Sequence, residues 1–253
     1  MAAKRREAGG KPAAVAWHVP EEVPVAVVYD GLDHAIMLAT PADLEDFAVG
    51  FSLSERVVDH LREILSIAIR QRAQGIDLKI AIDPRRLERL KLRQARRNLT
   101  GRSGCGVCGM DNAEMFFEPL APVAATRRAL DPAAVAKAVR QLADKQPLWR
   151  RNRSVHGAAW VVNDGAVALV REDVGRHNAL DKLLGALVRQ GSDLQAGFVL
   201  ISSRCSYEIV EKAARLGVSA LVGLSAPTAF AIRKAREARF SLNCYADGAI
   251  VQF

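Results

Sequence analysis

The chain has 253 residues, of which 50% are hydrophobic, so it can bury a sizeable core in one large or two small domains. The apolar stretch 216–232 is interrupted by serine, proline, threonine and glycine before the roughly 20 residues that a membrane-spanning helix needs, which predicts no such helix. Four cysteines are too few for a disulfide scaffold, and the net charge of +8 predicts an acidic partner.

The amino-terminal part predicts a small α+β lobe over residues 21–97. Residues 1–20 are basic and have no apolar core, so we expect a disordered tail on a cytoplasmic protein. Two strands are predicted around Asp30-Gly31, and Thr40-Pro41 predicts the start of a helix. Strict alternation of apolar residues over 76–82 predicts a strand with one buried face.

The segment 85–97 predicts a strongly basic helix, with seven basic residues and the single acid Glu88. A solvated helix face is the simplest interpretation, and a phosphate-rich ligand or an acidic protein is the alternative. Nucleic acid is a further candidate, but the three Trp and three Tyr of the chain provide no evident stacking platform.

Residues 98–130 predict a mobile loop and linker that contain the pair Cys105 and Cys108. Residues 98–109 include four glycines, which leave both sulfur atoms sterically open. Arg102 favours the thiolate, and a thiolate is the nucleophile in sulfur transfer. The spacing also fits half of a zinc site, although the sequence has no second CxxC or HxxxH. A thioredoxin-like pair would open a helix after a strand, unlike this pair.

Residues 131–253 alternate strands and helices, which predicts a layered α/β domain with a partly parallel sheet. Three strand-to-helix turns, over 171–182, 202–208 and 224–228, are expected at the carboxyl ends of strands, where helix N-termini favour anions. Their candidate anion-binding side chains are Arg176, Ser203, Arg204, Ser206, Ser225 and Thr228. Serine and threonine at such positions also serve as N-caps without any ligand. Single His and Cys residues at such positions are more often structural than catalytic, so His156, His177, Cys205 and Cys244 are interpreted as structural.

Four motifs together resemble those of the formate dehydrogenase accessory sulfurtransferase family, FdhD. They are Cys105-Gly-Val-Cys-Gly109, Asp173-Val-Gly-Arg-His-Asn-Ala-Leu-Asp-Lys182, Ser202-Ser-Arg204 and Leu224-Ser-Ala-Pro-Thr228. The resemblance extends over nearly all of the chain beyond the tail.

The resemblance implies a carrier that takes persulfide sulfur from a cysteine desulfurase and passes it to the molybdenum cofactor, bis-molybdopterin guanine dinucleotide, of formate dehydrogenase. It implies that Cys105 bears the persulfide and that Cys108 assists. It also implies a homodimer, no metal bound directly by the protein, and a carboxyl domain similar in fold to cytidine deaminases. The cofactor-binding residues would include Arg176, His177, Ser203, Arg204, Ser225, Thr228 and a carboxyl-terminal segment of Tyr245, Ala246, Asp247, Gly248, Ala249 and Ile250. That segment lacks the basic residue expected there.

Two other classes of function stay open at this point. A nucleotide-cofactor binding chaperone would use the strand-end turns without any sulfur transfer. A deaminase-like zinc hydrolase would need H-x-E followed by P-C-x-x-C, whereas His156 is followed by Gly157-Ala158 and the CxxC lies earlier in the chain.

Overall fold

The chain folds around two mixed β-sheets, and the computed structural model describes residues 1–5, 13–98, 119–124 and 129–253. The described helices are α1 Leu44–Ser54, α2 Pro84–Asn98, α3 Pro132–Leu142, α4 Pro147–Asn152, α5 Arg176–Arg189, α6 Tyr207–Arg215 and α7 Ala229–Glu237. The described strands are β1 Ala2–Arg5, β2 Ala13–Ala16, β3 Val23–Tyr29, β4 Leu32–Ala39, β5 Ile64–Arg72, β6 Gly75–Ile82, β7 His156–Val162, β8 Val167–Asp173, β9 Gly197–Ile201, β10 Ala220–Gly223, β11 Ser241–Ala246 and β12 Ala249–Gln252. No described helix is long and apolar enough to cross a membrane.

The carboxyl-terminal sheet has six strands in the order β12-β11-β10-β9-β7-β8. Strands β9, β10 and β11 are parallel, and β7 is antiparallel to both β9 and β8. Successive residues of β9 point to opposite faces, so Val199 packs in one core with α5, α6 and α7 while Phe198 packs in another with α3. Burial on both faces explains why this strand reads as a continuous apolar run.

The amino-terminal sheet has four strands in the order β4-β3-β6-β5. The alternating residues Ile76, Leu78 and Ile80 of β6 are buried beneath α1, whose Phe47 and Ala48 lie in the same core. Helix α2 contributes Leu90 to this core. The strand with one buried face that was predicted over 76–82 is therefore confirmed.

Helices α1 and α5 connect the two sheets, and their backbones cross at a very short distance. Each helix places a glycine at the crossing, and a Cβ atom on Gly50 would overlap the carbonyl oxygen of Asp181. A Cβ atom on Gly185 would likewise overlap the carbonyl oxygen of Asp46. Any side chain at either position would therefore push the helices apart.

Some boundaries predicted from the sequence are wrong. Helix α1 begins at Leu44 rather than at Pro41, because Thr40 makes contacts with the other sheet instead of capping the helix. Within the tail predicted to be disordered, β1 and β2 form an antiparallel pair, so that prediction fails for those residues. Edge strand β5, short helix α4 and edge strand β12 were missed, because short or edge elements have weak periodicity.

The glycine crossing gives a first prediction. Replacing Gly50 with alanine should lower the free energy of unfolding by about 3 kcal/mol, because the methyl group meets backbone atoms that cannot move independently. Urea denaturation followed by circular dichroism measures this loss. The control is Gly191→Ala, where nothing lies within 4 Å and only the positive φ of 64° is strained, so about 1 kcal/mol is expected. Equal losses in both variants would contradict the close-packing argument.

Candidate functional site at the sheet edge

The three turns singled out in the sequence meet at one edge of the six-stranded sheet. Strands β8 and β9 point the same way because both are antiparallel to β7, and β10 and β11 are parallel to β9. The carboxyl ends of all four strands therefore lie along one edge, together with the start of β7 at His156. The predicted grouping of these turns is confirmed by the topology.

The turn after β8 is fixed by a fully buried ion pair. Lys182 donates to Asp173 at 2.6 Å, and both side chains are 0% exposed. The same Asp173 accepts hydrogen bonds from the backbone nitrogen of Thr40 at 3.0 Å and from Asn178 at 3.0 Å. Lys182 also donates to the carbonyl oxygen of Thr40 at 2.9 Å. These bonds tie the end of β4 to the first turn of α5.

Arg176 and His177 open α5 at this edge, and each has a buried nitrogen atom without a partner. Among the described residues, no acceptor or donor bonds to Nε of Arg176 or to Nε2 of His177. The nearest carboxylate to His177 is that of Glu208, at 3.9 Å. A buried polar group without a partner costs about 1–3 kcal/mol, so a ligand that supplied partners to these nitrogens would be bound favourably.

Burial and the adjacent Arg176 lower the pKa of His177 to about 4, and Glu208 only partly opposes this. The imidazole is therefore neutral near pH 7, whereas the Arg176 guanidinium stays charged. The same two causes lower the pKa of His156, which faces Asp173 across the β7–β8 pair. The edge thus combines the fixed charge of Arg176 with two neutral imidazoles.

The turns after β9 and β10 are bonded to each other. The backbone nitrogen of Thr228 donates to the carbonyl oxygen of Cys205 at 3.0 Å. The Thr228 hydroxyl accepts from Ala231 at 3.2 Å and so caps α7, and the Ser203 hydroxyl donates to the carbonyl oxygen of Arg204 at 3.1 Å. These two hydroxyl groups therefore already have structural roles, while the side chains of Arg204 and Ser225 are exposed at the edge.

The segment from Tyr245 to Ile250 forms a β-hairpin at the end of the same sheet. Tyr245 pairs with Ile250 and Ala246 pairs with Ala249, around a turn in which Asp247 and Gly248 have positive φ angles of 50° and 80°. Because β11 is parallel to β10, this turn projects from the edge that carries the other three turns. The candidate residues 245–250 therefore adjoin the turn at 224–228.

A second buried network lies under the site and was not recognised in the sequence. Lys212 of α6 donates to Asp181 at 2.9 Å, to Glu55 at 2.7 Å and to Ser54 at 2.8 Å. Burial lowers the pKa of the Lys212 ammonium group, but the carboxylates of Asp181 and Glu55 outweigh this effect, so the pKa is raised. Charged residues in helices usually signal solvent exposure, so the sequence gives no sign that Lys212 is buried.

The two cysteines predicted to carry the chemistry, Cys105 and Cys108, lie outside the described residues. The other two are poor nucleophiles. Burial raises the pKa of the Cys205 thiol to about 12 and also raises that of Cys244. Their interpretation as structural residues agrees with this burial. Among the residues that the structure describes, no group of three His, Cys, Asp or Glu side chains is arranged to hold a metal ion.

Comparisons with known proteins agree over most of the chain. The model of the FdhD/NarQ family matches residues 20–252. A protein named sulfur carrier protein FdhD from Xanthomonas euvesicatoria pv. vesicatoria is 48% identical over 238 residues, which cover 94% of this chain and 84% of that protein. A protein with the same name from Cupriavidus necator is 49% identical over 224 residues, covering 88% of this chain and 77% of that protein.

A solved structure shows the same fold. It is a crystal structure from Desulfotalea psychrophila, assigned as a formate dehydrogenase accessory protein. It superposes with a TM-score of 0.75 and 23% sequence identity, and the match covers 100% of this chain and 94% of that chain. The mixed α/β architecture predicted from the sequence is therefore confirmed.

The lowered pKa of His177 gives a second prediction. Below pH 6.5 the unfolded chain binds a proton at this imidazole that the folded chain does not bind until about pH 4. The free energy of unfolding should therefore fall as the pH drops from 6.5 to 4, and His177→Gln should make this fall shallower. Urea denaturation at a series of pH values measures the slope. An unchanged slope would show that His177 titrates normally; His18→Gln, at an exposed histidine, is the control.

Proposed function

Because the chain belongs to the FdhD/NarQ family, we propose that it is a sulfurtransferase that carries sulfur from a cysteine desulfurase to a molybdenum cofactor. The cofactor is bis-molybdopterin guanine dinucleotide, here a substrate, and formate dehydrogenase is its recipient. Support comes from the name sulfur carrier protein FdhD, which relatives 48% and 49% identical share, and from the CxxC pair in this sequence.

Loading of the carrier is a thiol exchange. The thiolate of Cys105 attacks the outer sulfur of the desulfurase persulfide, a bond forms between the two sulfurs, and the desulfurase cysteine leaves as a thiolate. Cys105 then carries one additional sulfur atom, and there is no net oxidation. Glycines on both sides of Cys105 keep this sulfur accessible to donor and acceptor.

Cys108 suits the release of the sulfur. Attack of its thiolate on the inner sulfur of the Cys105 persulfide forms a Cys105–Cys108 disulfide and expels hydrosulfide, which becomes a ligand of molybdenum. The cysteine pair is oxidised by two electrons as the sulfane sulfur is reduced, so the step balances. A cellular dithiol must reduce the disulfide before the next delivery.

The sheet edge suits the nucleotide end of this cofactor. Its strongest support is the pair of buried, unpartnered nitrogens on Arg176 and His177 at the N-terminus of α5, where a pyrophosphate would find a charge and hydrogen-bond donors. Arg204 and Ser225 flank the position, and the hairpin at 245–250 extends it along the sheet. Ser203 and Thr228 would act through backbone conformation, since their hydroxyl groups are already bonded.

Three further expectations stay predictions. These are the similarity of the carboxyl domain to cytidine deaminases, the homodimer and the cytoplasmic location. The zinc hydrolase alternative is disfavoured by its missing H-x-E motif. The binding chaperone without sulfur transfer is separated from our proposal by the next experiment.

Incubation with a cysteine desulfurase and cysteine should add about 32 Da, one sulfur atom, to the wild-type protein. Intact-protein mass spectrometry should show that Cys105→Ala abolishes the gain. Cys205→Ala is the matched control and should keep it, because burial raises the pKa of that thiol to about 12. Cys108→Ala should accept sulfur but not release it. A gain that survives in Cys105→Ala would overturn the assignment of that residue, and no gain on wild type would favour the chaperone.

Guanosine diphosphate represents the nucleotide end of the cofactor and should bind the wild-type protein. Arg176→Gln should weaken this binding at least tenfold in isothermal titration calorimetry, because a cationic hydrogen-bond donor to phosphate is lost. Arg140→Gln, at an exposed position in α3, should bind as wild type does. Equal affinities of the Arg176 and Arg140 variants would exclude Arg176 from the nucleotide site.

A further inference from the structure

The exposed side of α2 forms a basic surface that the sheet-edge site does not explain. Arg85, Arg89 and Leu92 follow one another at intervals of four and three residues, so they lie along one stripe of the helix. All three are exposed, and Leu92 is 64% exposed. We call this stripe, together with the adjoining Arg56 and Arg93, the arginine face.

Helix α2 is anchored along its buried side and through Arg93, so the arginine face has a fixed orientation. Leu90 is 3% exposed in the amino-terminal core, and Gln94 donates to the carbonyl oxygen of Asp33 at 2.9 Å. Arg93 donates to the carbonyl oxygen of Arg56 at 2.8 Å, which fastens the helix to the end of α1. A shallow pocket at this junction is lined by Arg56, Val57, Arg86, Arg89, Leu90 and Arg93.

The charges on this surface are unevenly matched. Arg86 is neutralised by Asp59 and by Glu63 at 2.9 Å, and Arg56 lies 4.0 Å from Glu211, which also pairs with Arg215. Among the described residues, no acidic side chain forms an ion pair with Arg85 or Arg89. The only acid on α2, Glu88, pairs with Lys91.

A helix face that serves only solvation usually alternates acids and bases at intervals of four residues. Here Arg85 and Arg89 stand four residues apart, and like charges at that spacing destabilise a helix. Arginine combined with an exposed apolar residue is typical of protein interfaces, which are depleted in lysine. Both features favour an acidic protein partner over solvent.

The position of α2 in the chain indicates which partner. Asn98 ends the helix, and Cys105 follows seven residues later. Since an extended chain spans at most about 3.6 Å per residue, the Cα atom of Cys105 lies within about 25 Å of that of Asn98. A protein bound to α2 would therefore be close enough to exchange sulfur with Cys105.

We propose that the arginine face binds an acidic surface of the cysteine desulfurase and so positions its persulfide for attack by Cys105. This inference rests on the proposed function and adds the surface that the sulfur donor recognises. Attraction between charged groups at the rim of a protein interface accelerates association and weakens with salt. Loading by the desulfurase should therefore slow as the salt concentration rises.

The test measures the rate of the 32 Da gain from two donors. The first is a desulfurase with cysteine, and the second is inorganic polysulfide, a small donor that needs no docking surface. Arg85→Glu/Arg89→Glu should slow loading from the desulfurase at least tenfold and leave loading from polysulfide unchanged. The control, Arg140→Glu/Arg236→Glu, changes the net charge equally on exposed positions of α3 and α7 and should load from both donors as wild type does.

The outcomes separate this inference from the proposed function. Desulfurase loading of the Arg85/Arg89 variant at the wild-type rate would overturn the docking surface and leave the sulfur carrier intact. Slower loading from both donors would show that Arg85 and Arg89 are needed for the fold of the protein, which also overturns the docking role. No mass gain on wild type from either donor would overturn both proposals.

Discussion

The close crossing of α1 and α5 is the constraint on which the rest of the structure depends. Gly50 and Gly185 let the two backbones touch, and this contact holds the amino-terminal lobe against the six-stranded sheet. Charged groups then surround the crossing, because polar atoms excluded from water there must be paired. Asp46 accepts a hydrogen bond from Arg171 at 2.7 Å on one side, and Lys212 donates to Asp181 at 2.9 Å on the other.

These buried charges explain how the sheet-edge site is held rigid. Removing one partner of a buried ion pair leaves an uncompensated charge, whereas the intact pair is only modestly stabilising. The Asp173–Lys182 pair therefore fixes one geometry for the turn that presents Arg176 and His177. Because Thr40 is bonded to both members of that pair, the position of the amino-terminal lobe is coupled to the geometry of the site.

The sequence predicts the long, periodic elements. It also predicts the gathering of the turns, because parallel strands of an α/β sheet end at the same edge. It does not predict the burial of Lys182 and Lys212, since a charged residue in a helix looks solvent-exposed until its partners from distant segments are known. Thr40-Pro41 shows the same effect. Its local pattern indicates a helix start, but a long-range bond to Asp173 determines its conformation.

The two parts of the proposed chemistry make opposite demands on the protein. Recognition of a nucleotide requires donors fixed before the ligand arrives, which the ion pairs beneath α5 provide. Transfer of sulfur requires one thiolate to meet a donor protein and then a cofactor, and glycines around Cys105 suit that need. Helix α2 precedes the cysteine pair in the sequence and is anchored in the amino-terminal core through Leu90. Under the docking proposal, a partner bound to this anchored helix would deliver sulfur while the donors at the sheet edge keep their fixed positions.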